Sequence, residues 1–128
     1  MFMDRLAEAI NVMKTHERMG REECIVNSTK LLKSVLATLK KESYVNDFEE
    51  FKDGKIMKIR IKLSNKINSI GVVKPRYAIQ KDTIQKYETR YIPSKDFGIL
   101  VISTPKGLMT NREAREQMTG GRLVLYVY

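Results

Sequence analysis

Apolar residues recur every three or four positions near the start of the chain, which predicts an amphipathic helix over residues 4–18. Asp4 can cap its first turn, and the helix is expected to end near Gly20. Its apolar stripe consists of Leu6, Ala9, Ile10 and Met13.

A second helix is predicted after a short strand over residues 23–26. Either Ser28 or Thr29 can cap it, because both side chains can accept a hydrogen bond from the first turn. Lys30 and Lys33 lie near the helix N-terminus, where they form either a solvated face or a face that contacts phosphates. The stripe that this helix would bury consists of Leu32, Val35, Leu36 and Leu39.

Two further strands are predicted over residues 44–51 and 56–63. Asp53 and Gly54 lie between them, and glycine supplies the positive φ that a hairpin turn needs. Apolar and basic residues alternate in the second strand, so the two sets face opposite sides of a sheet. The apolar set is Met57, Ile59, Ile61 and Leu63, and the basic set is Lys58, Arg60 and Lys62. The basic row is interpreted as a solvated sheet face, with an RNA surface as the alternative.

The apolar pattern is interrupted at Ser64, Asn65 and Lys66. This interruption predicts a boundary between an N-terminal α/β subdomain, residues 1–64, and a C-terminal subdomain, residues 65–128. The segments predicted after this boundary are mainly strands with short helices. The fold class is therefore α+β, with two packed subdomains.

The second subdomain opens with a strand predicted over residues 67–73. Pro75 cannot donate to a sheet ladder, which predicts an edge or a bend that exposes Arg76 and Tyr77. A cation beside an aromatic ring suits contact with a phosphate and a nucleobase, and Tyr77 belongs either to such a contact or to the core.

The most informative stretch is a buried strand, predicted at residues 99–102, that leads into a polar turn. The turn presents hydroxyls and a cation, and it consists of Ser103, Thr104, Pro105, Lys106 and Gly107. A short helix capped by Asp82 and reaching Glu88 is predicted before it.

Two elements are predicted after the polar turn. Thr110 and Glu113 have capping-box spacing, which predicts a helix that ends before Gly120 and Gly121. The last strand is predicted over residues 123–128 and is expected to alternate. One face would carry Leu123, Leu125 and Val127, and the other Val124, Tyr126 and Tyr128.

Composition narrows the class of function. The chain has 128 residues, 42% of them hydrophobic, which is enough for a real core. Its net charge of +9 favours a polyanionic partner, either nucleic acid or an acidic membrane surface. Asp4 and Glu8 interrupt the region where a signal peptide would be apolar, so a soluble, intracellular protein is expected.

The cysteine and histidine content argues against a metal site. Cys24 is the one cysteine and His16 the one histidine, which excludes an internal disulfide and leaves no recognisable zinc ligand set. Cys24 is expected to be a small buried hydrophobe, and His16 a surface residue. No cofactor and no metal are expected.

An enzyme and a basic protein-interaction module are the alternatives to RNA binding. An enzyme would have to combine Ser103 or Thr104 with His16, which lies in the other predicted subdomain, and no Gly-x-Ser-x-Gly or phosphate-loop pattern accompanies these residues. We therefore expect no catalysis and no small-molecule substrate. A protein-interaction role can coexist with RNA binding.

Three motifs in fixed order, VISTPKGLMT, NREAR and GGRLVLYVY, resemble the closing segment of the universal small-subunit ribosomal protein S8 family. The likeness continues upstream through DFGILVIST, GVVKPRYAI and INSIGV to MDRLAEAI, so it covers nearly the whole chain. RYIPSKDFGILVIST, together with KPRY and Arg122, resembles the archaeal and eukaryotic branch.

The resemblance implies an N-terminal α/β subdomain packed on a mostly β C-terminal subdomain that binds RNA. It implies a structural constituent of the small ribosomal subunit, located in the cytoplasm. It implies a primary binder of an irregular helix in the central domain of small-subunit ribosomal RNA, with neighbouring small-subunit ribosomal proteins as further partners. It implies neither catalysis nor membrane binding. Members can also repress translation by binding their own messenger RNA, and the resemblance leaves that second role open.

By motif, the resemblance assigns RNA contact to the turn formed by Ser103, Thr104, Pro105, Lys106 and Gly107. Pro105 stands where many members have a second serine, so one hydroxyl of the family's turn is absent here. His16 follows Lys14 and Thr15 where the family usually has an Arg or Ser beside an Asn. Further RNA-binding candidates are Lys74, Arg76, Tyr77, Lys30 and Lys33.

Overall fold

A computed structural model describes residues 5–74, 76–94 and 96–128. These residues form four helices and eight strands in two sheets, which confirms the α+β class. They group into two compact units, the first ending at Ile67 and the second beginning at Asn68. No helix in these ranges is both long enough and apolar enough to cross a membrane.

The first unit contains two helices and a three-stranded antiparallel sheet. The sheet has the order β1-β3-β2. Its elements are α1 (Arg5–Arg18), β1 (Glu23–Asn27), α2 (Lys30–Lys41), β2 (Val45–Asp53) and β3 (Ile56–Leu63). Both helices bury the predicted apolar stripes.

The ends of these helices follow local sequence signals. Gly20, just after α1, has a φ of +73°, as a helix C-terminus often requires. Thr29 caps α2, because its hydroxyl accepts the backbone N–H of Leu32 at 3.1 Å. The cap predicted at Asp4 lies outside the described residues.

The hairpin between β2 and β3 has only Gly54 and Lys55 in its loop. Gly54 occupies the first loop position with a φ of +65°, which a type II′ turn requires. In β3, Ile59, Ile61 and Leu63 are buried as predicted, but Met57, next to the hairpin end, is exposed.

In the second unit, the last strand of the chain is central to the sheet and pairs with three other strands. Its elements are β4 (Ile70–Val72), β5 (Ala78–Ile79), α3 (Ile84–Tyr91), β6 (Ile99–Thr104), β7 (Gly107–Thr110), α4 (Asn111–Glu116) and β8 (Gly121–Val127). The sheet order is β4-β8-β6-β7, and β5 pairs with the start of β8. The strand predicted over residues 67–73 is shorter in the structure, because the N–H groups of Asn68 and Ser69 both bond to the carbonyl of Tyr128 at 2.6 and 2.8 Å.

Two helix boundaries differ from the prediction. Thr83, not Asp82, is the N-cap of α3, and its hydroxyl bonds to the backbone of Gln80 instead of the helix. α3 also continues past Glu88 to Tyr91. The capping box of α4 is present as predicted, and the helix ends at Glu116, before the glycine pair, with Met118 in the left-handed conformation at a φ of +51°.

A β-bulge interrupts the alternation predicted for the last strand. Val101 pairs with Leu125, but the next residue, Ile102, pairs with Leu123, so Val124 is an extra residue in β8. Leu123 therefore faces the core cluster against which Tyr126 and Tyr128 pack, instead of the opposite side. That cluster consists of Val73, Ile79, Ile84, Ile92, Leu100, Ile102, Ala114 and Leu123.

A buried polar network ties both helices of this unit to its sheet. Glu88 is 3% exposed, and its carboxylate accepts hydrogen bonds from Asn111 Nδ2 and from both terminal nitrogens of Arg115, one of them at 2.8 Å. Asn111 Oδ1 accepts the backbone N–H of Leu100 at 3.1 Å. The network thus links α3, α4 and β6 through charge-assisted bonds.

Candidate nucleic-acid interface

The polar turn joins β6 to β7 as a tight hairpin, with Pro105 and Lys106 in the loop and Thr104 paired with Gly107. Proline fixes φ near −65°, so the first loop position cannot adopt the positive φ of a type I′ or II′ turn. The positive φ is found at Gly107, where it is +115°. A β-carbon there would meet nothing within 4 Å, so the turn needs glycine for its backbone conformation and not for space within the protein.

Thr104 stabilises the turn from inside. Its side-chain hydroxyl donates to the carbonyl of Gly107 at 2.7 Å and accepts the N–H of Lys106 at 3.1 Å. The residue is only 8% exposed. The sequence predicts that the turn exposes the hydroxyls of both Ser103 and Thr104. In the structure Ser103 is exposed, but the Thr104 hydroxyl is bonded within the hairpin.

Ser103 lies in a row of directly opposed residues that crosses four strands. It pairs with Leu108 of β7 and with Arg122 of β8, and Arg122 pairs with Ala78 of β5. Opposed residues in antiparallel strands point to the same face, and all four are exposed or half-exposed. We call Ala78, Arg122, Ser103 and Leu108 the turn row.

Two glycines allow the strands of the turn row to approach each other. A β-carbon on Gly121 would lie 2.0 Å from the carbonyl oxygen of Ser103, and one on Gly120 would lie 2.3 Å from that of Ile79. Both distances are far below van der Waals contact with backbone atoms. From the sequence, these glycines are predicted only to follow the end of a helix, and in the structure they also set the spacing of β8 beside the turn.

Arg76 is brought to the same place. It is exposed, and its carbonyl accepts a hydrogen bond from Arg122 Nη1 at 3.2 Å. Lys74, two residues earlier, is also exposed. Tyr77 is half-buried, packs against the core cluster, and stacks on Tyr87 with ring centroids 5.8 Å apart. Of the two readings of Tyr77, its position fits the core.

The two lysine candidates at the start of α2 belong to the first unit, and they differ from each other. Lys30 is exposed, whereas Lys33 forms an ion pair with Glu50 at 3.4 Å. The hydroxyl of Ser28 also bonds to Glu50, and this bond, with Lys33, lowers the pKa of that carboxyl. Lys33 therefore has less free charge to offer a phosphate than Lys30.

The basic row of β3 lies between acidic residues of its neighbouring strands. Lys58 pairs with Asp53 at 3.2 Å, and Arg60 pairs with Glu49 at 2.7 Å and with Glu23 at 3.9 Å. These acids locally neutralise two of the three cations of the row, Lys58 and Arg60. The arrangement favours a solvated sheet face over an RNA surface.

The one histidine and the one cysteine each have local surroundings that the structure describes. His16 Nδ1 bonds to the carbonyl of Val12 at 2.9 Å within α1. Cys24 is buried, and burial raises the pKa of its thiol to about 11, which leaves it protonated at neutral pH. Within the ranges that the structure describes, no three His, Cys, Asp or Glu side chains are grouped to hold a metal ion.

Arg122 is a functional candidate that lies outside the site predicted from the sequence. In the sequence it is only a residue of the GGR motif, because nothing in a linear sequence shows that it stands opposite Ser103. The glycine pair before it was the available signal, since two glycines at the start of a strand indicate close approach of another backbone.

A basic α+β protein that gathers an exposed hydroxyl, two arginines and a lysine around one hairpin has the features of an RNA-binding protein. The family model of ribosomal protein S8 matches residues 4–128, which is nearly the whole chain, and the chain belongs to this family. It is a ribosomal protein that binds ribosomal RNA, and its place is the ribosome, among other ribosomal proteins. The family is one of structural ribosomal proteins, and the resemblance seen in the sequence motifs is confirmed.

Proposed function

We propose that this protein is a primary binder of the central domain of small-subunit ribosomal RNA and uses the β6–β7 turn, Arg76 and Arg122 to hold an irregular helix there. The turn row carries the proposal, because it places Ser103 directly opposite Arg122 on one face of the sheet, with both residues exposed. Such a binder would organise the folding of its RNA domain within the small subunit.

The chemistry of the turn suits the sugar edge of an RNA helix. A-form RNA has a wide, shallow minor groove that displays 2′-hydroxyls and base edges. The Ser103 hydroxyl can donate to and accept from such groups, and a guanidinium can hold a phosphate with two N–H groups. Lys106 is exposed in the loop and adds a charge next to them.

The remaining turn residues act through shape. Thr104 closes the loop from inside, and Gly107 supplies its positive φ. Pro105 has neither a hydroxyl nor an N–H, so it can contribute only van der Waals contact. We therefore assign the hydroxyl contact of this turn to Ser103.

The other candidates have lesser parts in the proposal. Lys74 is exposed two residues before Arg76 and adds to the positive potential, while Tyr77 anchors this segment to the core. Lys30 is an exposed cation that can contact a phosphate. Lys33 would contact one only if its ion pair with Glu50 were broken.

Titration against two RNAs tests the proposal. The protein is expected to bind the irregular central-domain helix in preference to an unrelated hairpin at every salt concentration. Ser103→Ala should weaken binding to the central-domain helix by about 1 kcal/mol, the usual value of one hydrogen bond, without changing binding to the hairpin. Ser34→Ala is the matched control, because Ser34 is an exposed serine on α2.

Three results would count against the proposal. Equal affinity for the two RNAs would remove the specific recognition. An unchanged affinity of the folded Ser103→Ala variant would move the contact away from the turn. An equal loss in Ser34→Ala would show that the effect is not local.

A further inference from the structure

Helix α3 carries tyrosines and cations side by side on its surface. Tyr87 and Tyr91 lie one helical turn apart, and so do Lys86 and Arg90. Both tyrosines are half-buried, whereas both cations are exposed. We call these four residues, together with Tyr77, the α3 surface.

Arg90 is held in place by aromatic rings. Its Cζ lies 5.4 Å from the ring centroid of Tyr77 and 5.5 Å from that of Tyr91. Both distances are within cation–π range. An arginine that already lies against two rings loses less freedom when its N–H groups bind a ligand than an arginine free in solvent does. Lys86 Nζ lies 5.7 Å from the ring centroid of Tyr87.

No acidic residue of α3 is available to pair with Lys86 or Arg90. The one acidic residue of α3, Glu88, is buried and bonded to Arg115. Among the described residues, no ion pair involves Lys86 or Arg90. Two positive charges without an ion pair, set over aromatic rings, favour an anionic partner over an apolar protein segment.

The α3 surface is joined to the turn row through a few residues of chain. Tyr77 belongs to the α3 surface, the next residue, Ala78, belongs to the turn row, and the carbonyl of Arg76 is bonded to Arg122. Ile84 packs with Leu100 and Ile102, so α3 covers the sheet face opposite to the one that carries Ser103. The two surfaces therefore flank one sheet.

We propose that the α3 surface is a second RNA-binding surface, in which Arg90 and Lys86 each hold a phosphate of the RNA backbone. Tyr77 and Tyr91 act as positioning residues that fix the Arg90 guanidinium. Side chains one helical turn apart have Cβ atoms about 5–6 Å apart, which suits neighbouring phosphates of one strand. The inference rests on the proposed binding of small-subunit ribosomal RNA and extends it to a second segment of that RNA.

The test compares two double variants that lose the same charge. Lys86→Gln/Arg90→Gln changes the α3 surface, and Lys14→Gln/Lys52→Gln changes two exposed cations of the first unit. Affinity for a transcript of the entire small-subunit ribosomal RNA is measured across salt concentrations, with nuclease protection of the same complexes. The α3 variant should bind about 10-fold more weakly, and its slope of log K against log salt should be shallower by about 1.4 to 1.8, as for two lost phosphate contacts. It should also lose protection at one RNA segment and keep protection at the site of the turn.

Arg90→Lys separates stacking from charge. It should keep the salt slope and bind about 2- to 5-fold more weakly, because lysine loses the stacked fork. Unchanged affinity would overturn the positioning role of Tyr77 and Tyr91. Matching melting temperatures of all variants establish that each is folded.

Failure of this inference is distinguishable from failure of the proposed function. If the α3 surface does not bind RNA, the Lys86→Gln/Arg90→Gln variant behaves like its control while the unaltered protein still prefers the central-domain helix. This is also the result if the surface binds a protein, and it overturns the inference. If the proposed function fails, the unaltered protein shows no such preference.

Discussion

Gly121 allows two strands to approach more closely than any other residue would permit. Replacement by alanine would put a β-carbon 2.0 Å from the Ser103 carbonyl oxygen, so the backbone beside the turn must shift. We expect Gly121→Ala to lower the free energy of unfolding by about 1–3 kcal/mol, as other overpacking substitutions do. Urea denaturation followed by circular dichroism measures this loss.

Gly71 provides the comparison. A β-carbon there would lie 2.9 Å from the hydroxyl oxygen of Tyr126 and 3.0 Å from its ring, and a side chain can move aside where a backbone cannot. Gly71→Ala should therefore cost less than Gly121→Ala. A smaller loss at Gly121 than at Gly71 would contradict the close-approach argument.

Glu17 gives the protein a predictable dependence on pH. Both of its carboxylate oxygens are buried with no hydrogen-bond partner of normal geometry among the described residues. Burial raises the pKa of this carboxyl above its ordinary 4.5, and the nearby backbone N–H groups of Ile67 and Asn65 offset part of the effect. As pH rises above 4.5 the unfolded chain releases this proton more readily than the folded one, so stability is lost up to the folded pKa.

Glu17→Gln removes that loss. The variant should be more stable than the unaltered protein at pH 7, and its advantage should shrink at pH 4, where the carboxyl is protonated. Urea denaturation at the two pH values measures the difference, with Glu8→Gln, an exposed carboxylate of the same helix, as control. An advantage of equal size at both pH values would show that ionisation of Glu17 is not its cause.

At the scale of elements, Asn111 connects the start of α4 to the sheet of the second unit. It is fully buried, accepts the N–H of Leu100, and donates to Glu88. Asn111→Ala would leave both groups without this partner, and we expect a loss of about 2–3 kcal/mol in unfolding free energy. Amide exchange at Leu100 should become faster by more than the global loss explains.

Arg112→Ala is the matched control for Asn111, because Arg112 is the next residue of α4 and is exposed. Its effect on stability should be within about 0.5 kcal/mol, as for most surface substitutions. Similar losses in the two variants would mean that the network adds nothing beyond the helix itself.

Elements whose cause is local could be predicted from the sequence. The helical stripe of α2, its Thr29 cap and the capping box at Thr110 all depend on residues within one or two turns. The bulge at Val124 could not be predicted, because it depends on the register between β6 and β8. The candidate site was likewise only partly predictable. The sequence motif indicates the turn, but only the strand pairing shows that Arg122 lies opposite Ser103.

For the whole molecule, a net charge of +9 overstates the charge available to RNA. Lys58 is paired with Asp53, whereas Lys106 is exposed in the turn. Lys106→Gln should therefore make the salt slope of binding to the central-domain RNA shallower by about 0.7–0.9, the value for one phosphate. Lys58→Gln should leave that slope unchanged. Equal changes of the salt slope in both variants would mean that binding depends only on the total charge of the protein.

Each unit has its own optical signal, because most of the tyrosines lie in the second unit and the longer helices lie in the first. The protein has no tryptophan and six tyrosines, and of these only Tyr44 belongs to the first unit. Ultraviolet emission therefore reports mainly on the second unit. Far-ultraviolet ellipticity is weighted towards the first unit, whose helices have 14 and 12 residues against 8 and 6 in the second. A single unlabelled sample thus shows whether the two units melt together, since the two signals coincide only in a two-state transition.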